Sequence, residues 1–460
     1  MKGHIPRDIR DRLELPWALD KLLKFLLKIV EWRNMYEYPM DHDPDEKTIS
    51  RGLYGVWKCA HPVLKAAKGS GLEDYFSKQK YATVEFLPEG FEKKKEVRLS
   101  AVGDLMKNLG TKHSRDKLYE FVEEKIFGAD YSVANLESLL TKKRIKQIKY
   151  DHRGGPSINS TLEDYRALIE HEGTKFDAVC LCNNHTWDQG EEGFFTTLNQ
   201  LEKDEIKYFG VNEHLEDSEK CLIEEIEGLK IGFIGFTYGL NLNDPPEEQK
   251  FRINKLAFHS KKFKGDLSPI KRQMDYCNGK NCDFVILTLH WGLEYEFYPT
   301  PKQVEIAHEL AEYGADLIIS HHTHNIQPFE IYEVTRDIGR KVPIFYGLGN
   351  LTSNKSAAHV VLNLIANFTL AKGKITLPDN EDAEDNKKEI SYVQDINLTP
   401  VFQREFELPT ENEAENAQIY VQIEKLSEAL RKDIEDPELK KYLATMKQYA
   451  DQTIGEAWNS

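Results

Sequence analysis

The sequence predicts an α/β protein built on a parallel or mixed sheet, and three observations carry that reading. From Val97 onward, short apolar runs alternate with amphipathic segments, and several of the runs are apolar without interruption. Polar residues able to bind metal follow the ends of five of them. Alternating β and α segments lay parallel strands side by side through crossover helices. Strands covered on both faces lose the period-two pattern of a half-exposed sheet.

The elements follow in order. VRLSAVGD (97–104) reads as a strand and residues 115–127 as a helix. A strand at 131–136, a helix at 161–171, a strand at 176–182 and a helix at 191–204 continue the alternation. Segments 222–227 and 230–236 form a hairpin around Gly228, and a helix at 268–277 leads into FVILTL (284–289). A helix at 301–313 leads into ADLIIS (315–320), followed by strands at 328–334, 342–346, 359–370, 373–377 and 391–402. Helices are expected at 417–430 and 437–451. The domain reading is a mostly helical extension over 1–95, a βα-rich body over 96–352, a β-rich completion over 353–405, and C-terminal helices over 406–460. The completion includes an acidic loop at 379–389, and the Glu92–Glu96 lysine run closes the first region.

Composition narrows the function classes. The chain has 460 residues, with 61 Lys and Arg against 77 Asp and Glu for a net charge of −16. Such a chain lacks the general attraction that nucleic acid or anionic membrane requires. Six cysteines are too few for a disulfide scaffold, and Cys277 and Cys282 read as free thiols. Met1–Leu15 has no apolar signal core, and no uncharged run is long enough to span a bilayer. Residues 17–32 read as an amphipathic helix packed on its own protein, the alternative being an interfacial helix that touches a membrane or partner. A cytoplasmic protein is expected.

The chemistry gathers at strand ends. Asp104 ends LSAVGD, Glu137 follows YSVANL, and Asn184 and His185 follow AVCLCN. His290 ends FVILTL, and His321, His322 and His324 follow ADLIIS. Open α/β sheets bind ligands just outside the carboxyl ends of their strands, so these separated positions converge. Carboxylate, amide oxygen and imidazole together suit one or two divalent ions of Mn, Fe, Zn or Mg. Lys142, Arg144 and Arg153 belong to a basic loop directly after Glu137, either a solvated face or a clamp for an anionic substrate. Glu294 reads as a group supporting the site or as a surface acid, and His321 as a supporting residue.

The motifs GDLM (103–106), NLE (135–137), NNHTWD (183–188), HWGLEY (290–295) and HHTH (321–324), in that order, resemble the CapA family. That family is linked to capsule and poly-γ-glutamate synthesis and belongs to the calcineurin-like metallophosphoesterase superfamily. GEEGFFTTLNQL with IKYFG (190–210), GADLIISHHTHNIQPFEIY (314–332) and FYGLGNL (345–351) extend the resemblance over residues 97–352. It implies a four-layer αββα sandwich with a dinuclear site. By resemblance, Asp104 and His324 hold the first metal, Asn184, His290 and His322 the second, and Glu137 stands at the bridging position. His185 is then the general acid, with Asp188 orienting it. Met106 stands where the superfamily has an imidazole, and Glu137 is one methylene longer than the usual aspartate.

Three functions stay open: a phosphoesterase-type hydrolase with an anionic small-molecule or polymer substrate, a non-catalytic accessory of a polymer synthetase, and a binuclear amide hydrolase.

Overall fold

The computed structural model describes residues 3–4, 17–33, 35–36, 38–40, 48–79, 83–84, 90–142, 158–241, 244–258, 260, 263, 265–335, 340–353, 357–376, 387–407 and 418–459. Arg144, Arg153 and the other basic residues from Lys143 to Arg153 lie outside them, as do residues 379–386 of the acidic segment.

Two sheets form the body. The first contains β1 (Glu92–Leu105), β2 (Tyr131–Leu136), β3 (Ala178–Cys180) and β4 (Lys207–Phe209), neighbours in that order and mutually parallel. The second contains β5 (Leu222–Ile226), β6 (Leu229–Thr237), β7 (Phe284–His290), β8 (Leu317–His321), β9 (Phe329–Glu333) and β10 (Lys341–Phe345). Its centre, β6-β7-β8-β10, is parallel, and β5 and β9 close its edges antiparallel. The first sheet is extended beyond β1 by β11 (Leu362–Thr376), β12 (Lys387–Glu407) and β13 (Ile419–Lys425), all antiparallel.

Side chains alternate along the second sheet, which is what places it between two layers. Ile231, Phe233, Phe284, Ile286, Leu317 and Ile319 point into the space shared with the first sheet. Ile234, Phe236, Val285, Leu287, Leu289 and Ile318 point the other way, onto the helices Ser268–Gly279 and Pro301–Tyr313. Aromatic contacts join the two sheets: Phe233 lies 5.4 Å from Tyr131 and 5.7 Å from Phe209, and Phe345 lies 5.8 Å from Phe368. Leu162–Ile169 and Gly190–Lys203 are helices packed on the same core as the first sheet. The result is helix, sheet, sheet, helix, with β2, β7 and β8 buried along their whole length.

Helix starts follow local chemistry. Thr300 accepts from the Gln303 amide and Gln303 answers onto Thr300, a reciprocal cap ahead of Pro301. Thr161 and Asp164 do the same for Leu162–Ile169.

Four segments differ from expectation. Residues 115–122 are turns, with helix only over Glu123–Phe127. The Leu118 carbonyl accepts from the Ile423 amide (2.9 Å) and Ser114 Oγ from the Val421 amide (2.8 Å), so β13 takes groups an α-helix would need. Residues 419–425, expected helical, form that strand because the open side of β12 offers a full ladder to IYVQIEK. The lysine run belongs to β1, which starts at Glu92, and β11 runs unbroken through Gly373.

At the N-terminal side, Trp17–Trp32 is a helix that buries Leu27 and Val30 while Leu22, Phe25 and Trp32 are exposed. Among the described residues no helix is long and apolar enough to cross a membrane. The helix Ile49–Ala60 reaches the body through Lys58, whose Nζ lies 2.9 Å from Glu296 Oε1 in a buried ion pair that Tyr54 Oη joins at 3.2 Å.

Candidate metal centre

Asp104 is aimed by an irregularity in β1. Pairing with β2 slips between Ala101 and Asp104. Beyond the slip the strand end is held by residues 349–352: the Asp104 amide donates to Gly349 O (2.9 Å), the Met106 amide to Thr352 O (3.1 Å), and the Thr352 amide to Asp104 O (3.3 Å). This close approach requires glycine on both sides, because a Cβ on Gly103 would overlap the Gly349 carbonyl and Gly349 has φ +77°. Gly103→Ala is therefore expected to destabilise the protein by about 1–3 kcal/mol, read as a lower urea midpoint at unchanged slope.

Asp104 faces Asn135 across the β1–β2 ladder, and His290 faces His321 across β7–β8. Asn135 Nδ2 donates to Asp104 Oδ1 (2.8 Å) and lies 3.3 Å from His290 Nδ1, so one amide ties the two sheets together at the site. Asn183 Nδ2 in turn donates to Asn135 Oδ1 (3.3 Å) and Leu136 O (2.9 Å). His290 Nε2 sits 2.9 Å from Asn184 Oδ1 and 3.7 Å from Glu137 Oε1. His321 Nδ1 lies 2.9 Å from Asp104 Oδ1, and His324 Nδ1 lies 3.5 Å from Asp104 Oδ2.

His185 stands beside this group, its Nε2 3.7 Å from Glu137 Oε1. Its other nitrogen, Nδ1, lies 2.6 Å from Asp188 Oδ2, which also accepts from the Ile158 amide at 2.7 Å. With Nδ1 held by Asp188, the ring turns Nε2 toward the centre, where Asn241 Nδ2 lies 3.3 Å away.

Glu294, His322 and His324 form a second gathering, with one ligand atom from each within 4.8 Å of the others; Asp104, Glu137 and His290 form the first by the same measure. His322 (φ +85°), His324 (φ +55°) and Tyr295 (φ +62°) all hold left-handed backbone. Such conformations persist in side-chain-bearing residues only where the surroundings enforce them, and they collect at functional sites.

The electrostatics suit cations. Asp104, Glu137 and His290 are 0% exposed. Neither Glu137 oxygen has a hydrogen-bond donor among the described residues. A fully buried carboxylate without donors is costly unless it is neutralised. Burial first, then the charges of Asp104 and Glu294, push the Glu137 carboxyl well above the usual range. Burial would raise Asp104 too, but the neighbouring imidazoles of His321 and His324 hold its carboxyl well below the usual range. Burial and the neighbouring His322 keep His290 neutral, the form that ligates. The donor set and the orphaned Glu137 oxygens fit one or two divalent ions.

A pH dependence follows. A carboxyl raised in the folded state contributes stability below its unfolded value, and that contribution is lost as pH rises through the folded value. A cation displaces the Glu137 proton, so metal affinity grows with pH. Added Mn²⁺ is expected to raise the unfolding temperature more at about pH 7.5 than at about pH 5.5, measured by scanning calorimetry.

Every predicted residue from Asp104 to His324 at a strand end lies in this cluster, with His321 against Asp104. Lys142 is exposed. Four amide side chains were missed: Asn135, Asn183, Asn241, and Asn350, whose Oδ1 lies 2.7 Å from His324 Nδ1. Asn135 and Asn183 sit inside the NLE and NNHTWD motifs and were legible there; Asn241, on a loop without a motif, was not.

A carboxylate, amide and imidazole cluster at the joined strand ends of two facing sheets defines an αββα protein with a candidate metal centre. The profile of the family described as bacterial capsule synthesis protein PGA_cap matches residues 98–355, more than half of the chain, and the chain belongs to that family. It is 27% identical over 304 residues to the capsule biosynthesis protein CapA of Bacillus anthracis, covering 61% of this chain and 67% of that one. It is 25% identical over 284 residues to the PGA biosynthesis protein CapA of Bacillus subtilis (strain 168), covering 59% and 67%. A probable polyglutamine synthesis accessory protein of Mycobacterium tuberculosis (strain ATCC 25618 / H37Rv) is 24% identical over 179 residues, covering 38% and 45%. A solved structure of a hypothetical protein from Thermus thermophilus superposes with a TM-score of 0.33 at 13% identity, over 71% of this chain and 99% of that one, and adds nothing to the fold seen directly.

Proposed function

We propose that this chain is a metal-dependent hydrolase of phosphoester-type bonds, acting on an anionic substrate in capsule or poly-γ-glutamate synthesis. The observation that carries the reading is the Glu137 carboxylate, buried without a donor among the described residues and flanked by His290 and His185 at 3.7 Å each. Divalent ions bound at such a centre lower the pKa of water towards neutrality and neutralise charge on a phosphoryl group.

The chain's own groups do the rest. Asp104, Glu137, Asn184, His290, His322 and His324 supply the ligands. His185, held through Nδ1 by Asp188, presents Nε2 as the atom that gives a proton to the leaving oxygen. Asn135 fixes the relation of Asp104 to His290 and so holds the two sheet ends in register. Hydrolysis of an aryl phosphate by protein loaded with Mn²⁺, lost on chelation and regained on reloading, supports this function. Protein that retains a transition metal yet turns over no phosphoester contradicts it.

A non-catalytic accessory role is the second reading. It is favoured by Met106, whose thioether suits a hard divalent ion poorly, and by the accessory designation of the mycobacterial relative.

A further inference from the structure

We infer that Glu294 is itself a metal ligand, completing with His322 and His324 a cation position that faces solvent, beside the enclosed position of Asp104, Glu137 and His290. The inference rests on the metal-centre reading above and adds to it Glu294 as a ligand and ready exchange of one ion with solution.

Four observations carry it. Glu294, His322 and His324 bring one donor atom each within 4.8 Å of one another. His324 is already oriented as a ligand. Asn350 Oδ1 lies 2.7 Å from its Nδ1, which fixes the proton there and leaves Nε2 on the side of Glu294, 3.9 Å from Oε1. The loop bearing Glu294 is clamped to the histidine loop. The Tyr295 amide donates to Thr323 O (2.7 Å), the Trp291 amide to His321 O (3.3 Å), and Trp291 Nε1 to Ser320 Oγ (2.9 Å). From behind, Glu296 is gripped by Lys58 and Tyr54, and Gln327 Nε2 donates to its carbonyl at 2.7 Å. The left-handed backbone of Tyr295, His322 and His324 is what this clamping sustains.

The two positions differ in access. Asp104, Glu137 and His290 are fully buried, whereas the Glu294 side chain is 40% exposed. One carboxylate and two imidazoles suit Mn, Fe or Zn better than Mg, which prefers oxygen donors. The outer ion is therefore a transition metal in faster exchange with solution than the inner one.

The test uses the full chain loaded with Mn²⁺, desalted and analysed for metal, followed by release into excess chelator. The wild type is expected to hold about two ions per chain and release them in a fast and a slow phase. Glu294→Gln is expected to hold about one, to lose the fast phase, and to bind the outer ion at least about tenfold more weakly, with an unchanged unfolding temperature without metal. Glu294→Asp, which keeps the carboxylate, is expected to retain part of the fast phase. If Glu294→Gln holds as many ions as the wild type and releases them at the same rates, Glu294 is no ligand and the inference is overturned. If the wild type holds no ion, the metal-centre reading fails and this inference falls with it.

Discussion

Replacing His290 by Ala is expected to lower Mn²⁺-dependent hydrolysis of an aryl phosphate by at least about 10³-fold, a loss of the several kcal/mol that metal stabilisation supplies. Its ring touches many parts of the centre at once. Nε2 is 2.9 Å from Asn184 Oδ1 and 3.7 Å from Glu137 Oε1, Nδ1 is 3.3 Å from Asn135 Nδ2, and the ring is 4.9 Å from that of His322. Truncation removes a ligand atom and leaves buried polar groups poorly partnered, so stability falls as well, by about 1–3 kcal/mol. Metal content and unfolding temperature separate the two effects. A folded His290→Ala variant that holds about one ion per chain fewer than the wild type, with turnover lowered by at least about 10³-fold, is the expected result. A folded variant that turns over within about twofold of the wild type removes His290 from the chemistry.

His185→Ala is expected to act differently, lowering kcat by about 10²–10⁴-fold while the Mn²⁺ content stays unchanged. The reason is position: His185 borders Glu137, but its Nδ1 is committed to Asp188 at 2.6 Å and it belongs to neither ligand group. A group that protonates the leaving oxygen matters most when that oxygen leaves reluctantly. The loss should therefore be larger for an alkyl phosphate than for a nitrophenyl phosphate. Asp188→Asn, which weakens the hold on Nδ1, should follow the same trend with a smaller amplitude. If His185→Ala instead strips the metal, or if the loss is the same for both esters, His185 is not the proton donor.

Much of this centre could be read in the sequence because its parts sit where strands end. Asp104, His290 and His321 each lie at the close of a buried strand, and the uninterrupted apolar runs FVILTL and ADLIIS mark where those ends fall. Hydrophobic runs mark strands without marking what lies across from them. The grouping of Glu294 with His322 and His324 depends on the Tyr295 to Thr323 hydrogen bond, and the role of Asn241 depends on its amide donating to Asn184 O at 2.9 Å. Neither contact joins neighbours in sequence.

Residues 419–425 show the same limit in the fold. Apolar residues of IYVQIEK fit a helix face as well as a strand, and only the free side of β12 decides between them. The first 95 residues offer no chemistry of their own to a reader of the sequence. Their contribution is mechanical: Lys58 and Tyr54 brace Glu296, two residues beyond Glu294.

The most direct measurement is anomalous X-ray scattering at the Mn edge from crystals soaked in Mn²⁺. A peak coordinated by Glu137 and His290, with Asp104 or Asn184 completing the shell, is what this account predicts. Density that places every Mn²⁺ on surface carboxylates, with none within coordinating distance of Glu137, would contradict it.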